Sequence, residues 1–370
     1  MVAPNLIPAL DPNPLPAPYW VCKLLLVGTF FLHILAMNLL LGGGVLALAA
    51  KWSSRKSDLG HRLFFDVARK VPSLLAATIT LGIAPLLFVQ VIYGQFFYTS
   101  SILLAWPWFL ILVYVTLAYY GFYYASLQGE KQPGRAVKVF LLSVLLIVAV
   151  GFTLSNNLTL SQTPSRWGAK YFADPAAWNL NLSEPTLIPR FLHFFTAAVA
   201  VGGLLLVLIA WAKWHQDAEY ARYVFQIGGR SVRFATMAQF LVGLGFVISL
   251  PPDLRMLFFG GNPLATLLLI AGIVAAMGAI YVMAEALRTE NVRRAGRYVT
   301  GLTAAIILSM SVIRDLLRDA YLKRDFHPQQ FVVKTQWSVL PVFLALFVAG
   351  AILWFVMLKR YGLFAGDRAD

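Results

Sequence analysis

The sequence predicts an all-α integral membrane protein, because its composition, its apolar segments and the positions of its basic residues all indicate this class. Of the 370 residues, 59% are hydrophobic and 12% are charged, whereas soluble domains are about half apolar and a quarter charged. The net charge is +14, but the basic residues alternate with long apolar segments, which is typical of membrane topology. We therefore expect a lipid bilayer around the chain and no nucleic acid as a partner.

Nine segments are long and apolar enough to cross a hydrocarbon core about 30 Å thick. They cover approximately residues 20–50, 72–97, 102–127, 137–160, 187–213, 231–250, 264–286, 298–314 and 336–358. The proline-rich stretch 1–18 contains no Lys or Arg, so it lacks the basic start of a signal peptide. We expect this stretch to form an exposed arm.

The connections between these segments alternate between basic and base-poor. Twenty of the 30 Lys and Arg residues lie in the connections 51–71, 128–138, 212–233 and 287–297 and in the tail 359–370. Short basic loops remain in the cytoplasm. We therefore expect a multi-pass protein of the plasma (inner) membrane, with a periplasmic or extracellular N-terminus and a cytoplasmic C-terminus.

An internal repeat relates the first four segments to the next four. The motif Phe-Leu-His ends at His33 and again at His193, and a glycine pair begins nine residues after each histidine. Gly82 and Gly243 continue the alignment at an offset of 161 residues. Such a duplication predicts two parallel repeats, related by an axis along the membrane normal.

This repeat divides the chain into six predicted regions. They are an N-terminal arm (1–18), a first four-helix repeat (19–160), an outer loop (161–186), a second four-helix repeat (187–314), a further outer loop (315–335), and a ninth helix with a cytoplasmic tail (336–370).

His33 and His193 are the two of five histidines that lie within predicted spans, toward the outer ends of equivalent helices. Ionisable groups at this depth are costly and are usually functional. Because imidazole binds iron and helix bundles hold haem between inward-facing side chains, the pair predicts haem ligation, by one shared iron or by two. Small residues at 196, 197, 200 and 203 would leave room for the flat macrocycle. Alternatively, each histidine hydrogen-bonds a neighbouring helix and the small residues allow close packing.

Further candidates for the haem site follow from the chemistry of its ligands. Cys22 is the single cysteine, which excludes covalent attachment through C-x-x-C-H, a thiolate cage and a disulfide. Methionine often completes a low-spin haem, and Met310 is the predicted second ligand at the outer level. Met256 and Met37 are weaker candidates, and each of these methionines could instead fill the core.

Charge is concentrated at the outer end of the eighth segment. Arg314 and Arg318 are four residues apart, as are Asp315 and Asp319. Guanidinium groups suit the carboxylates of haem propionates, and Arg190, close to the second histidine, suits the same role. The alternative is an ordinary helix end with snorkelling arginines and i,i+4 ion pairs.

Aromatic and polar side chains are mixed at 90–101 and 106–108, at the end of the second segment. They could surround a quinone ring or a gas channel, or form an interfacial aromatic belt. The outer loop 161–186 contains two tryptophans and a tyrosine and could be a docking surface.

The predicted arrangement resembles subunit I of the cytochrome bd oxygen reductases. That family has nine helices with an N-out and C-in topology, two four-helix units plus one helix, and haems clustered toward the outer face. The resemblance in topology covers most of the chain, whereas the sequence correspondence is local. It implies that His33, within Phe-Leu-His-Ile-Leu, serves the high-spin haem where gas binds and that His193 serves the low-spin haem.

Three features depart from the family pattern. The outer quinol loop between helices 6 and 7 is reduced to about 251–263. Arg314 matches the arginine of the family's Gly-Arg-Gln-Pro-Trp motif, but the rest of the motif is absent and Ser311 stands at the glutamate ligand, which leaves Met310 as the substitute. The third segment has tyrosines and a threonine instead of membrane carboxylates. These differences predict a divergent relative rather than a standard quinol oxidase.

The sequence thus predicts a b-type haem subunit of a respiratory electron-transfer complex, an oxidoreductase component with one to three haems, other haem types not being excluded. We expect other membrane subunits as partners and, because outer basic residues can steer a redox protein, a cytochrome c-type protein on the outer side. A quinone is a further candidate, and the sequence leaves oxygen reduction open. The alternatives are a parallel-repeat transporter or channel and a cofactor-free membrane anchor of a larger complex.

Overall fold

The computed structural model describes residues 7–9, 13–53, 58–129, 131–174 and 176–361. In this part of the chain the protein is an all-α membrane protein, as predicted. Its long helices are α1 (Tyr19–Ser53), α2 (Asp58–Leu103), α3 (Ala105–Gln128), α4 (Pro133–Ser161), α5 (Leu187–Lys213), α6 (Ala218–Ser249), α7 (Pro263–Arg288), α8 (Thr300–Leu322) and α9 (Val339–Tyr361).

Eight of these helices, α1 to α8, are long and apolar enough to cross a membrane among the described residues. A π-helical turn, Ala295–Val299, precedes α8 and is continuous with it. In α9 the apolar stretch Val339–Leu353 is shorter than the other eight. A ninth membrane span therefore stays a prediction.

Several helices extend beyond the segments that apolar length predicts. The predicted connections 51–71 and 212–233 are largely helical, because α2 begins at Asp58 and α6 at Ala218. Likewise α8 continues to Leu322, so the first residues of the predicted outer loop 315–335 are helical. Apolar length detects only the part of a helix that lies in hydrocarbon, whereas the extensions are amphipathic and bury one face in the bundle.

Helix boundaries recur along the chain. The helix ends Ser53 and Lys213 are 160 residues apart, and so are the helix starts Asp58 and Ala218. The two helices that carry the histidines, α1 and α5, cross where Gly42 meets Gly202, and a Cβ atom on either glycine would overlap the backbone of the other helix. Small residues permit such a backbone approach between membrane helices. These matched features support the predicted duplication.

The helices have two ends, which we name by their residues. The histidine end contains Tyr19, Ser161 and Leu322, and the basic end contains Ser53 and Lys213. Near the basic end, the carboxylate of Asp66 accepts hydrogen bonds from Lys70 at 2.5 Å and from the Tyr220 hydroxyl at 2.9 Å.

Asp217 caps α6 at the basic end. Its carboxylate accepts a hydrogen bond from the backbone N–H of Tyr220 at 3.1 Å. This bond, together with an ion pair to Arg62, holds the pKa of Asp217 below its ordinary value. Capping of this kind satisfies a backbone donor that the first turn of a helix leaves free.

The described part of the N-terminal arm is not uniformly exposed. Leu15 and Ala17 are buried, and the backbone of Leu15 pairs with the segment that follows α8, donating to the carbonyl of Val332 at 2.8 Å. The exposed arm predicted for 1–18 therefore requires correction here, because apolar side chains within it reach the bundle. Residues 1–6 and 10–12 lie outside the described residues.

The loop 161–186 folds against the histidine end. Trp167 is buried and donates its indole N–H to the carbonyl of Leu160 at 2.9 Å. Asn181 is also buried, and its backbone N–H donates to the side chain of Asn156 at 2.9 Å. The predicted docking surface is thus reduced to the more exposed parts of this loop.

Candidate functional site

His33 lies in α1 with its ring against α2. Its Nδ1 is 3.0 Å from the backbone carbonyl oxygen of Thr78. Because a carbonyl only accepts hydrogen bonds, Nδ1 carries the proton and Nε2 keeps a free lone pair. A Cβ atom on Gly82 would lie 2.9 Å from the imidazole Cε1, so only glycine leaves room for the ring. A hydrogen bond that fixes the tautomer in this way is typical of metal-ligating histidines.

His193 occupies the corresponding position between α5 and α6. A Cβ atom on Gly243 would lie 3.3 Å from its imidazole Cε1, and the side-chain amide of Gln239 donates to its backbone carbonyl at 2.8 Å. Its buried Nδ1 has no hydrogen-bond partner among the described residues. A buried nitrogen without a hydrogen bond is costly. The His193 imidazole therefore has the capacity for one further bond at Nδ1.

The two histidines occupy equivalent positions against different helices. His33 packs on Gly82 of α2 and His193 on Gly243 of α6, which are the glycines that the repeat aligns. The small residues behind His193 also serve helix packing, since a Cβ atom on Gly203 would lie 2.7 Å from the carbonyl oxygen of Gly228. At position 203, the small residue therefore permits close helix packing, which was the alternative explanation for the small residues.

An arginine lies one aromatic ring away from each histidine. The Arg314 guanidinium is 4.1 Å from the centroid of Phe30, whose ring is 6.4 Å from that of His33. On the other side, the Arg190 guanidinium is 5.2 Å from the centroid of Phe246, and the Phe246 ring stacks on His193 at 6.4 Å. The two arrangements of arginine, aromatic ring and histidine are alike. The sequence repeat does not explain this, because the two arginines come from non-equivalent helices.

Glu184 acts electrostatically on Arg190, and Asp315 on Arg314, but only from beyond ion-pair distance. Arg190 donates from Nη1 to the side-chain oxygen of Gln162 at 3.0 Å, while its buried Nε and Nη2 have no partner among the described residues. No described carboxylate lies within ion-pair distance of Arg190 or Arg314. Because an enclosed cation without an ion-pair partner is costly, the surroundings of both histidines suit a further anionic group.

Arg318, the third predicted propionate ligand, belongs to a buried ion cluster. Its side chain lies 3.4 Å from Asp315, which in turn pairs with Lys23 of α1 at 2.5 Å. Lys23 also pairs with Asp319 at 2.8 Å and donates to the hydroxyl of Tyr93 at 2.6 Å, and Tyr93 donates to Asp319. The described ion pairs are therefore an i,i+3 pair within α8 and two pairs to α1, rather than the i,i+4 pairs of an ordinary helix end, and Arg318 already has an acidic partner.

Lys23 was not predicted as a site residue, and Tyr93 was predicted only as part of the aromatic-polar stretch 90–101. A lysine in the first turns of α1, on the base-poor side, is the sequence signal for Lys23. Tyr93 lies at a kink in α2, where its φ of −119° and ψ of 29° leave the helical range. Its ring is buried, whereas Tyr98 and Trp106 are about half exposed. The predicted aromatic-polar pocket thus divides into buried rings, which include Tyr93, Phe96 and Phe97, and surface aromatic residues.

Met310 lies against α7. Its terminal methyl would lie 3.2 Å from a Cβ atom on Gly272 of α7, and it packs against an apolar cluster that includes Leu250 and Ile313. The described contacts do not join Met310 to either histidine. Ser311 is buried and donates to the carbonyl of Ile307 at 2.8 Å. Among the described residues, no group of three or more His, Cys, Asp or Glu side chains could hold a metal ion.

Comparisons with known proteins identify a shared fold. No protein-family profile matches the sequence, and no curated protein matches it. Among solved structures, the chain is similar to the bd oxidase from Geobacillus thermodenitrificans, with a TM-score of 0.70 over 92% of this chain and 98% of that chain. The sequence identity is 12%, so the likeness is one of fold.

Proposed function

We propose that this chain is a b-type haem subunit of a membrane-bound respiratory electron-transfer complex. The observation that carries the proposal is the repeated arrangement of a histidine on a glycine of the next helix, with an arginine that forms no described ion pair one aromatic ring away. An axial imidazole and a cation for a propionate are two protein groups that suit a non-covalent haem. The fold likeness to a bd oxidase supports the same conclusion.

His33 and His193 are the proposed axial ligands. Because each imidazole packs on a different helix, α2 or α6, we favour two separate haems over one iron shared by both. By its resemblance, His33 would serve an open, gas-binding haem and His193 a low-spin haem. Met310 stays a weaker proposal for a second ligand, since its contacts run to Gly272.

Arg190 and Arg314 are the proposed partners of the propionates. Both lie near a histidine, and neither forms a described ion pair. Arg318 already pairs with Asp315. It would therefore contact a propionate only by sharing its guanidinium group with that carboxylate. When bound, haem supplies one-electron redox chemistry, and the protein contributes axial ligation, exclusion of water and compensation of charge.

The remaining proposals concern the setting of the subunit. We infer nine spans, an N-terminus on the outer side and a cytoplasmic C-terminus in the plasma (inner) membrane, from the distribution of basic residues. Two parallel repeats, at 19–160 and 187–314, would bring both haems to the outer half. We propose that other membrane subunits and an outer cytochrome c-type protein exchange electrons with them, with a quinone or oxygen as further candidates.

Optical spectra of single variants test the histidine assignments. We expect His193→Ala to remove a low-spin component from the reduced-minus-oxidised spectrum and to spare the rest. His33→Ala should remove the response of the reduced protein to carbon monoxide, because only an open coordination position binds it. His327→Ala, which changes an exposed histidine, is the matched control. Wild-type spectra in both span variants would contradict the assignment.

A parallel-repeat transporter is the second candidate function. Its support is the kink of α2 at Tyr93 beside the buried pairs of Lys23 with Asp315 and Asp319, since transporters use broken helices near buried charges. These charges cluster at the histidine end rather than at mid-helix. The haem content of the purified chain separates the two candidates. Haem in the purified chain would also exclude a cofactor-free anchor.

A further inference from the structure

A cavity of about 620 Å³ lies at the basic end, between α7 and the π-helical turn that precedes α8. It is lined by Val282, Asn291, Arg293, Arg294, Arg297 and Tyr298. Its volume falls within the range of small-molecule sites, roughly 300–1,000 Å³. None of the described residues that line it is acidic, so its character is strongly cationic.

The cationic lining is held on a fixed backbone. The turn alternates in burial, with Val292, Ala295 and Val299 buried and the arginines exposed. Gly296 is buried against Trp211 of α5, where a Cβ atom would overlap the indole ring. The side chain of Asn291 fixes the start of the turn by accepting from the backbone N–H of Arg294 at 3.0 Å. The arginines therefore project from an anchored turn.

Neighbouring acids are already bound by other arginines. Glu290 pairs with Arg222 at 3.1 Å, and Glu285 pairs with Arg288 at 3.0 Å. Of the three cavity arginines, Arg293 has one polar contact, at 3.4 Å from Nε2 of His215. The cavity thus brings three arginines together, and the acids near them are paired with other arginines.

We propose that this cavity binds the phosphate group of an anionic phospholipid. Guanidinium groups bind phosphate oxygens through paired N–H donors, and basic pockets between membrane helices suit lipid headgroups. The lipid is favoured over free phosphate because Val282 near the end of an apolar helix and the half-exposed Tyr298 border the cavity. Tyrosine is enriched at the level of the lipid headgroups. An acyl chain of the bound lipid would continue along α7.

Native mass spectrometry of the purified full-length protein tests the proposal. After exchange into a neutral detergent, phosphatidylglycerol or phosphatidylcholine is added and binding is titrated. The wild type should bind phosphatidylglycerol more tightly. Because each basic residue near a membrane surface contributes about fivefold in affinity, Arg293→Gln/Arg294→Gln/Arg297→Gln should lose roughly a hundredfold for phosphatidylglycerol and keep its affinity for phosphatidylcholine.

A charge-matched variant provides the control. Lys131→Gln/Arg135→Gln/Lys138→Gln removes three exposed cations from the connection between α3 and α4 and the first turns of α4, at the same end of the protein, and leaves the ion pairs of Glu285 and Glu290 intact. It should retain phosphatidylglycerol binding within about threefold, as expected when only cavity charges bind the headgroup. Equal loss in both triple variants would overturn the proposal, because it would indicate diffuse attraction.

Two further arms complete the test. Inorganic phosphate at the same concentration should leave phosphatidylglycerol bound, and displacement by phosphate alone would overturn the lipid assignment. If the cavity triple variant does not fold, the single variants Arg293→Gln, Arg294→Gln and Arg297→Gln replace it, each with a loss of about fivefold. Unchanged binding in all three would contradict the proposal.

Discussion

At the scale of single residues, the histidines illustrate what the sequence can predict and what it cannot. His33 and His193 could be predicted because a rare ionisable residue recurs at matched positions in two apolar helices. The ion cluster around Arg318 could not, because Lys23 and Tyr93 come from α1 and α2 and reach α8 only through tertiary packing. The contact of Phe246 with His193 was likewise unpredictable, since the two residues are 53 positions apart in the sequence.

The proposed role of Arg190 predicts a change in reduction potential. Arg190→Gln should lower the midpoint potential of the haem at His193, because a nearby cation stabilises the added electron. A unit charge about 10 Å away, at an effective dielectric constant of about 20, contributes on the order of 1–2 kcal/mol, or roughly 40–80 mV for one electron. Spectroelectrochemical titration measures the shift.

Two variants control this titration. Arg190→Lys keeps the charge and should recover most of the potential. Arg324→Gln removes an exposed cation from the same end and should leave the potential within about 10 mV of wild type, because exposed charges are screened. A potential that is unchanged in Arg190→Gln would show that this guanidinium does not face the cofactor.

At the scale of helices, apolar length predicted the eight described helices that could cross a membrane but not where the helices end. The amphipathic extensions of α2 and α6 at the basic end contain charges that interrupt an apolar window, although their buried faces continue the bundle. The crossing of α1 and α5 has a sequence signal, the paired glycines at 42 and 202, yet only the structure brings these glycines into contact.

Substitution at this crossing should destabilise the protein. Gly202→Ala would force the backbones of α1 and α5 apart, because its Cβ atom overlaps Gly42. Overpacking in a tight core costs about 1–3 kcal/mol, which we expect as a lower melting temperature in detergent. Gly245→Ala is the matched control, since a Cβ atom there meets nothing within 4 Å. Equal melting temperatures for the two variants would contradict the close crossing.

At the scale of the whole molecule, the prediction of an all-α membrane protein is confirmed, and its fold is that of a bd oxidase at 12% identity. A hydrophobic pattern survives such divergence because many apolar sequences satisfy the same helix packing. Individual ligands need not survive, and we expect the region of Ser311 and Met310 to be one where this chain differs from the bd oxidases. The fold was therefore more predictable than the complete ligand set.

The pyridine haemochrome assay on the purified full-length chain tests the central claim most directly. Because two imidazoles lie on equivalent glycines with an arginine that forms no described ion pair near each, we predict b haem in the wild-type protein, with two per chain for separate sites. The double variant His33→Ala/His193→Ala, folded by its melting temperature, should contain none. A wild-type chain that contains no haem when purified from haem-sufficient cells would contradict the account.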